Sequence, residues 1–371
     1  MVRGIWIIHD TGLYLWGDGS IGWISSLFTF FNLFLGVQVR PLFGRYGPRW
    51  IMLGGSMVYT LSIFLLGSCK VYYLFMLCLG VMGGISSACL STPSMASLSH
   101  WFHDRRGTAT GVAMMGASVG GIRFPLILKT TLSRLGWGWA VRIIGFIFIV
   151  FLVIGNICVR SRFPSKKRSG TIDLQCFTDS RFIWITAGAF LTEIVLFAAL
   201  GLIPTYAVMQ GFDTGVGFYL LIVFNAGSAF GRWLSGMCSD DLERFNTLGT
   251  VNSTTAAIIW IMWYPFGHYL GVLYPFCAIL GFGTGTILSL TPVCLGQLCD
   301  TDKFGVWFGT CYSVASFGTL VGIPIGGQLL QVAGHSRLVA VLGSILALAA
   351  FCFVMVQWAC LGYRWRWLVK V

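Results

Sequence analysis

Ionisable side chains stranded inside long apolar runs are the residues whose type and place could do chemistry. A charge at the centre of a bilayer costs about 2.5–3.5 kcal/mol on insertion scales, so each one needs a reason to be there. Glu193 lies about eleven residues into the apolar run 182–208, roughly 16 Å along a helix at ~1.5 Å per residue. Desolvation at that depth disfavours the carboxylate. Such a group suits a proton carrier, binding and releasing H+ as its access to water alternates; the plainer reading is a protonated Glu hydrogen-bonded within a helix bundle. Arg232, in the run 214–238, could grip a carboxylate through two parallel hydrogen bonds. It could equally snorkel to the nearer interface or clamp Asp240. Arg123, some sixteen residues past Gly107, could draw anions to the opposite mouth or snorkel outward with Lys129. Asn32, Asn225, Thr284 and Ser289 fall mid-run; they line a path or glue membrane helices together.

Other patterns imitate chemistry without its context. Gly281-Phe282-Gly283-Thr284-Gly285 resembles a nucleotide loop, but it lies inside an apolar run with no strand before it. His100-Trp101-Phe102-His103 offers two metal ligands with no third nearby and no HExxH pattern. A Walker loop, a catalytic triad and a paired-carboxylate arrangement are all missing. The residues therefore argue against ATP-driven pumping, a metal, a cofactor and an enzyme.

The elements that must position these groups follow from hydropathy. The 371-residue chain is 56% hydrophobic and only 10% charged, against roughly 25% charged residues in soluble domains. A spanning helix needs about 20 mostly apolar residues. Eleven runs qualify: 21–40, 49–68, 71–99, 106–130, 138–160, 182–208, 214–238, 247–267, 270–297, 304–331 and 337–361. This is an all-α polytopic membrane pattern, with 48 glycines suited to close helix packing. One set of connectors holds Arg40, Arg45 and Arg49; Arg105 and Arg106; the cluster from Arg160 to Arg181; Arg244; Lys303; and Arg364, Arg366 and Lys370. The alternate set holds little beyond Lys70, Lys129, Arg134 and Arg337. The first set is cytoplasmic by the positive-inside rule. That rule also explains the net charge of +12 without nucleic acid, and the lipid bilayer is the implied environment. Most of the twelve cysteines sit inside apolar runs and none forms a CxxC pair, so they read as small packing residues. Met1–Ile8 has one Arg and an apolar stretch broken by His9-Asp10, which does not read as a cleavable signal peptide.

The chain also repeats itself. At an offset of 198 residues Gly107 meets Gly305, Gly111 meets Gly309, Ala117-Ser118 meets Ala315-Ser316, and Gly120 meets Gly318. Parallel repeats about an axis along the membrane normal place a substrate path between two halves. The expected division is a helical bundle at 1–160 with five spans, a cytoplasmic linker at 161–181, and a second bundle at 182–371 with six. Residues 4–16 are too short to supply the sixth span of the first half, at ~1.5 Å per residue against a ~30 Å core.

Several stretches resemble the monocarboxylate-transporter branch of the major facilitator superfamily, most of all its fungal members. The most specific is Trp101-Phe102-His103-Asp104-Arg105-Arg106-Gly107-Thr108-Ala109-Thr110-Gly111, continuing through Gly116-Ala117-Ser118-Val119-Gly120-Gly121 to Phe124-Pro125. Supporting pieces are Trp139-Ala140-Val141-Arg142, Asn225-Ala226-Gly227-Ser228 with Gly231-Arg232, and Gly322-Ile323-Pro324-Ile325-Gly326-Gly327. The resemblance implies a twelve-helix carrier, here read as lacking its first helix, that moves a small organic anion, monocarboxylate or related metabolite, with H+, by alternating access. It implies no obligate protein partner and a plasma-membrane location.

Departures from the family pattern bear on function. The superfamily's loop Gly-x-x-x-Asp-Arg-x-Gly is here Arg40-Pro41-Leu42-Phe43-Gly44-Arg45-Tyr46-Gly47-Pro48-Arg49, with Gly44 in place of the acid. The duplicate loop keeps Asp240, followed by Asp241 and Glu243. An acid typical of monocarboxylate carriers, one turn before the Arg matching Arg232, is Ser228 here. The residues implied for a cytoplasmic gate are Arg45, Gly47, Arg49, Asp104, Arg105, Arg106, Asp240 and Arg244; those for the path are Glu193, Arg232, Arg123, Asn225, Ser228, Asn32, Thr284 and Ser289. The competing expectation is a truncated or degenerate paralogue, or a nutrient sensor in the membrane.

Overall fold

A computed structural model describes residues 18–101, 106–159, 174–238, 244–299 and 304–361. In hydrocarbon every backbone N–H and C=O must be bonded inside the segment, which leaves an isolated apolar run little choice but helix. Among the described residues each of the eleven runs becomes one helix, and no strand forms. Helix α1 covers Asp18–Tyr46 and α2 Pro48–Leu66. Helix α3 spans 72–101 and includes a π-helical stretch, Met76–Gly83. Arg106–Cys158 turns at Gly136, whose φ of 73° suits a residue without Cβ, and so supplies α4 (106–135) and α5 (137–158). Then follow α6 (Ser180–Met209), α7 (Thr214–Cys238), α8 (244–266, with π turns at Ile259–Trp263), α9 (Leu270–Gln297), α10 (Phe304–Ala333) and α11 (His335–Cys360).

Helix α4 runs five residues past its expected end. The hydroxyls of Thr130, Thr131 and Ser133 donate back to carbonyls one turn earlier, so these polar residues do not stop it; the turn at Gly136 does. Eight stretches are long and apolar enough to cross a membrane, one of them, Gly107–Cys158, containing both α4 and α5. Helices α7 and α8 fall outside that group. The first carries Asn225, Ser228 and Arg232, and the second carries Asn246, Thr247, Thr250, Asn252, Ser253, Thr254 and Thr255. Both pack against α9 instead.

Helices α1 to α5 pack on one another around Ile24, Ile63, Leu66, Phe75, Trp137 and Val141. Helices α6 to α11 enclose two larger apolar clusters, one holding Trp263 and Phe276 and the other Phe182 and Phe353. The nucleotide-loop look-alike has a packing role here: Gly281 and Gly285 bring α9 against the backbone of α7 at Phe224 and Ser228. Small residues allow this approach, which favours association where lipid removes the hydrophobic drive. Large apolar side chains such as Phe151, Ile157 and Leu61 face outward, as a lipid-facing surface requires.

The two helix groups meet along two antiparallel seams, α4 with α7 and α1 with α10. Gly111 and Gly309, partners in the sequence repeat, hold matching places on them. Gly111 packs against the carbonyl of Arg232, and Gly309 against the side chain of Val37.

At the end of the connector before α6, Asp179 caps the helix by accepting from the Arg181 backbone N–H at 2.9 Å. Its carboxylate also takes the Arg181 guanidinium at 2.6 Å. Hydrogen bonding to that guanidinium holds the Asp179 carboxyl below its usual range.

Candidate functional site

Between the two helix groups lies a cavity of about 490 Å³. The first group lines it with Thr29 and Asn32 of α1, Ser91 and Thr92 of α3, and Thr110 of α4. The second contributes Glu193 and Phe197 of α6, Arg244 of α8, Gln297 of α9, and Phe304, Phe308 and Tyr312 of α10. Gly107, Arg244, Gln297 and Phe304 lie at or near helix ends on the side that the charge distribution makes cytoplasmic. Thr29, Glu193 and Phe197 lie near the middle of their helices. The cavity thus runs from the cytoplasmic face to mid-membrane. Beyond it the outer part of the α1/α10 seam is closed, with Gly22 packed on Ile323 and Phe30 on Phe317 at 5.3 Å.

Glu193 is 4% exposed, forms part of the cavity wall, and leaves Oε2 without a hydrogen-bond partner. A buried carboxyl oxygen in that condition is costly unless water, a proton or a ligand satisfies it. Asn32 also lines the cavity, its Oδ1 accepting from the Ser91 hydroxyl at 3.1 Å.

The other path residues lie outside the wall of this cavity. The Arg232 guanidinium crosses the α4/α7 seam, Nη1 donating to the carbonyl of Met114 at 2.7 Å, while Nε has no partner. It is not part of the cavity wall. Its charge lies close enough to that of Glu193 for each to act on the other, without a direct ion pair. Arg123 is exposed on the outer half of α4. Asn225 donates to the Leu221 carbonyl at 2.8 Å and packs against Gly121. Ser228 is buried beneath Gly285. Thr284 bonds back to the carbonyls of Leu280 and Gly281, and Ser289 is buried with its hydroxyl unpartnered.

Among the gate residues, Arg244 reaches the cavity wall. Gly47 forms the turn between α1 and α2 with φ 76°, and Arg49 is exposed. Asp104, Arg105 and Asp240 lie outside the described residues, as do the side chains of Arg45 and Arg106.

The aromatic ladder on α10 escapes a search for charges. Phe304, Phe308 and Tyr312 recur every four residues and share one helix face. Their ring centroids are 5.8 and 4.5 Å apart. The spacing is visible in the sequence, but it reads equally well as core.

A paired helix assembly enclosing a cavity from one membrane face to mid-bilayer is the build of a multi-pass membrane carrier. Comparison supplies the family: the chain belongs to the Major Facilitator Superfamily, whose model matches residues 4–316. It is 30% identical over 385 residues to the riboflavin transporter MCH5 of Saccharomyces cerevisiae, covering 96% of this chain and 74% of that one. It is 32% identical to the aspyridones efflux protein apdF of Emericella nidulans, covering 93% and 72%. The crystal structure of the human organic anion transporter MFSD10 (TETRAN) shares the fold at a TM-score of 0.70 and 14% identity, over 90% of this chain and 83% of that one. The chain is accordingly a membrane transporter acting on a small molecule, and not an enzyme.

Proposed function

We propose that this chain is a gradient-driven carrier of a small organic acid or related metabolite, moved with H+ across the plasma membrane by alternating access. The observation that carries the proposal is Glu193, a residue of the cavity wall near mid-membrane, one of whose carboxyl oxygens is buried without a hydrogen-bond partner. A carboxyl there can pick up a proton from one side and release it to the other when the wall changes its exposure. The fungal relatives support transport of organic metabolites, one named for riboflavin and one for aspyridones efflux. An acidic cargo would meet a cation at Arg244 on the cavity wall.

The test is flux of a labelled metabolite panel, including short monocarboxylates, in vesicles holding correctly inserted protein, with and without a pH gradient. Gradient-dependent movement of at least one solute is expected. Flux that ignores the gradient for every solute would remove the proton part, and no flux at all would remove the carrier reading.

A further inference from the structure

The cavity has two chemically different walls. One is the α10 ladder of Phe304, Phe308 and Tyr312, with Gly305 and Gly309 between its rungs. Phe304 and Phe308 are only partly covered by protein, whereas Trp263 and Phe276 pack together fully buried inside the second helix group. Tyr312, 7% exposed, forms the deepest rung; the two outer rungs are not sealed as core rings are. The other wall, from the first helix group, carries neutral donors and acceptors on Thr29, Asn32, Ser91 and Thr92. At the deep end stands Glu193 with its unsatisfied oxygen.

Size narrows the occupant. Cavities of roughly 300–1,000 Å³ hold drug-sized ligands, and this one is about 490 Å³. A two- to four-carbon acid would leave most of it to water and would offer nothing to the aromatic rungs. A flat ring would gain by stacking, because aromatic faces prefer offset or tilted ring partners.

We infer that the cargo carries a planar unsaturated ring, seated against Phe308 and Tyr312, with an N–H or O–H donor turned to Glu193. The inference rests on the carrier reading above and names the substrate class of the same site. Stacking accounts for the ladder, the donor for the orphaned oxygen, and the hydroxyl and amide wall for the ring's polar edge.

The experiment is calorimetric binding to the detergent-solubilised full chain, using three neutral lactams. They are 2-quinolinone, its fully saturated decahydro analogue and N-methyl-2-quinolinone, with butyrate as a competitor. Planar 2-quinolinone is expected to bind about two- to tenfold tighter than the saturated lactam, the range that one aromatic pair supplies. Phe308→Leu or Tyr312→Leu, which keep bulk and remove the aromatic face, should abolish that preference; Phe317→Leu on the outer seam should leave it. N-methylation should weaken binding to the native chain and make no difference in Glu193→Ala. Equal binding of the planar and saturated lactams, binding of neither, full competition by butyrate, or a preference that survives Phe308→Leu with Tyr312→Leu would overturn the inference. The readout is affinity and not flux. Its failure therefore leaves the carrier reading standing, and a loss of gradient-driven flux leaves the ring site standing.

Discussion

The seams joining the helix groups occupy equivalent places in the repeat, yet they are made of different material. Along α4/α7 backbone lies on backbone: Gly111 touches the Arg232 carbonyl, Gly107 and Gly236 adjoin, and Thr108 donates to the Gly236 carbonyl at 3.4 Å. Arg232 pins the same seam to Met114, and Lys129 sits 4.8 Å from the Tyr219 ring at its outer end. Along α1/α10 side chains intervene. Phe30 and Phe34 stand around Phe317, Gly309 meets the side chain of Val37, and the cytoplasmic end opens onto the cavity ladder. Backbone contacts and directed hydrogen bonds admit one arrangement, whereas apolar side chains can repack. The first seam suits a pivot, and the second suits a wall that changes shape.

The largest expected effect tests that contrast at the repeat-related glycines. In Gly111→Ala the new methyl would meet a backbone carbonyl, which moves only with its whole helix, while in Gly309→Ala it would meet a methyl of Val37, a side chain whose χ1 the helix restricts but does not fix. Overpacking typically costs about 1–3 kcal/mol. Gly111→Ala should lie at the upper end and Gly309→Ala at the lower, read as thermal stability of the purified protein. Equal losses would erase the distinction between the seams.

Removing the cross-seam pin comes next. Arg232→Gln should cost roughly 1.5–3 kcal/mol, the usual range for a hydrogen bond to a charged group, and Arg232→Lys should recover part of it. A smaller change is expected on the other seam: Phe317→Leu loses ring contacts worth about 0.5–1.5 kcal/mol per pair. If Phe317→Leu proved the more damaging, the aromatic seam would be the rigid one.

The smallest effect lies off both seams, at the α6 cap. Asp179→Ala should cost about 0.5–2 kcal/mol, nearer the lower figure because the Arg181 pair is partly exposed. The folded-state carboxyl is held below its ordinary range. The native cap therefore adds stability above that range and loses it as pH falls through the depressed value. A thermal-stability titration should show native and Asp179→Ala curves converging in acid; a gap that widened there would reverse the sign.

Much of the frame was legible because hydropathy and charge act over whole segments. Among the described residues the eleven runs became eleven helices, with Gly136 making the turn between α4 and α5. Glu193 was legible as well, since a lone acid in an apolar run has few reasons to exist. Arg232 was legible only as a charge. Its partner is a backbone carbonyl 118 residues away, and carbonyls leave no mark in a sequence. Asn225 and Thr284 stand out in the sequence by polarity in mid-run and Ser228 by the acid it replaces; none of the three lines the cavity, Asn225 packing against Gly121 and Ser228 beneath Gly285. The α10 ladder was overlooked for the opposite reason. Phenylalanines at helical spacing resemble core until a cavity is found beside them. The π turns in α3 and α8 had no visible sign.

Proton movement through Glu193 is the central claim, and the most direct measurement is a pH record in weakly buffered proteoliposomes as a transported solute is added. The native chain should move protons together with solute, while Glu193→Gln, inserted equally well, should bind solute without the proton signal. Undiminished proton movement in Glu193→Gln would contradict the claim.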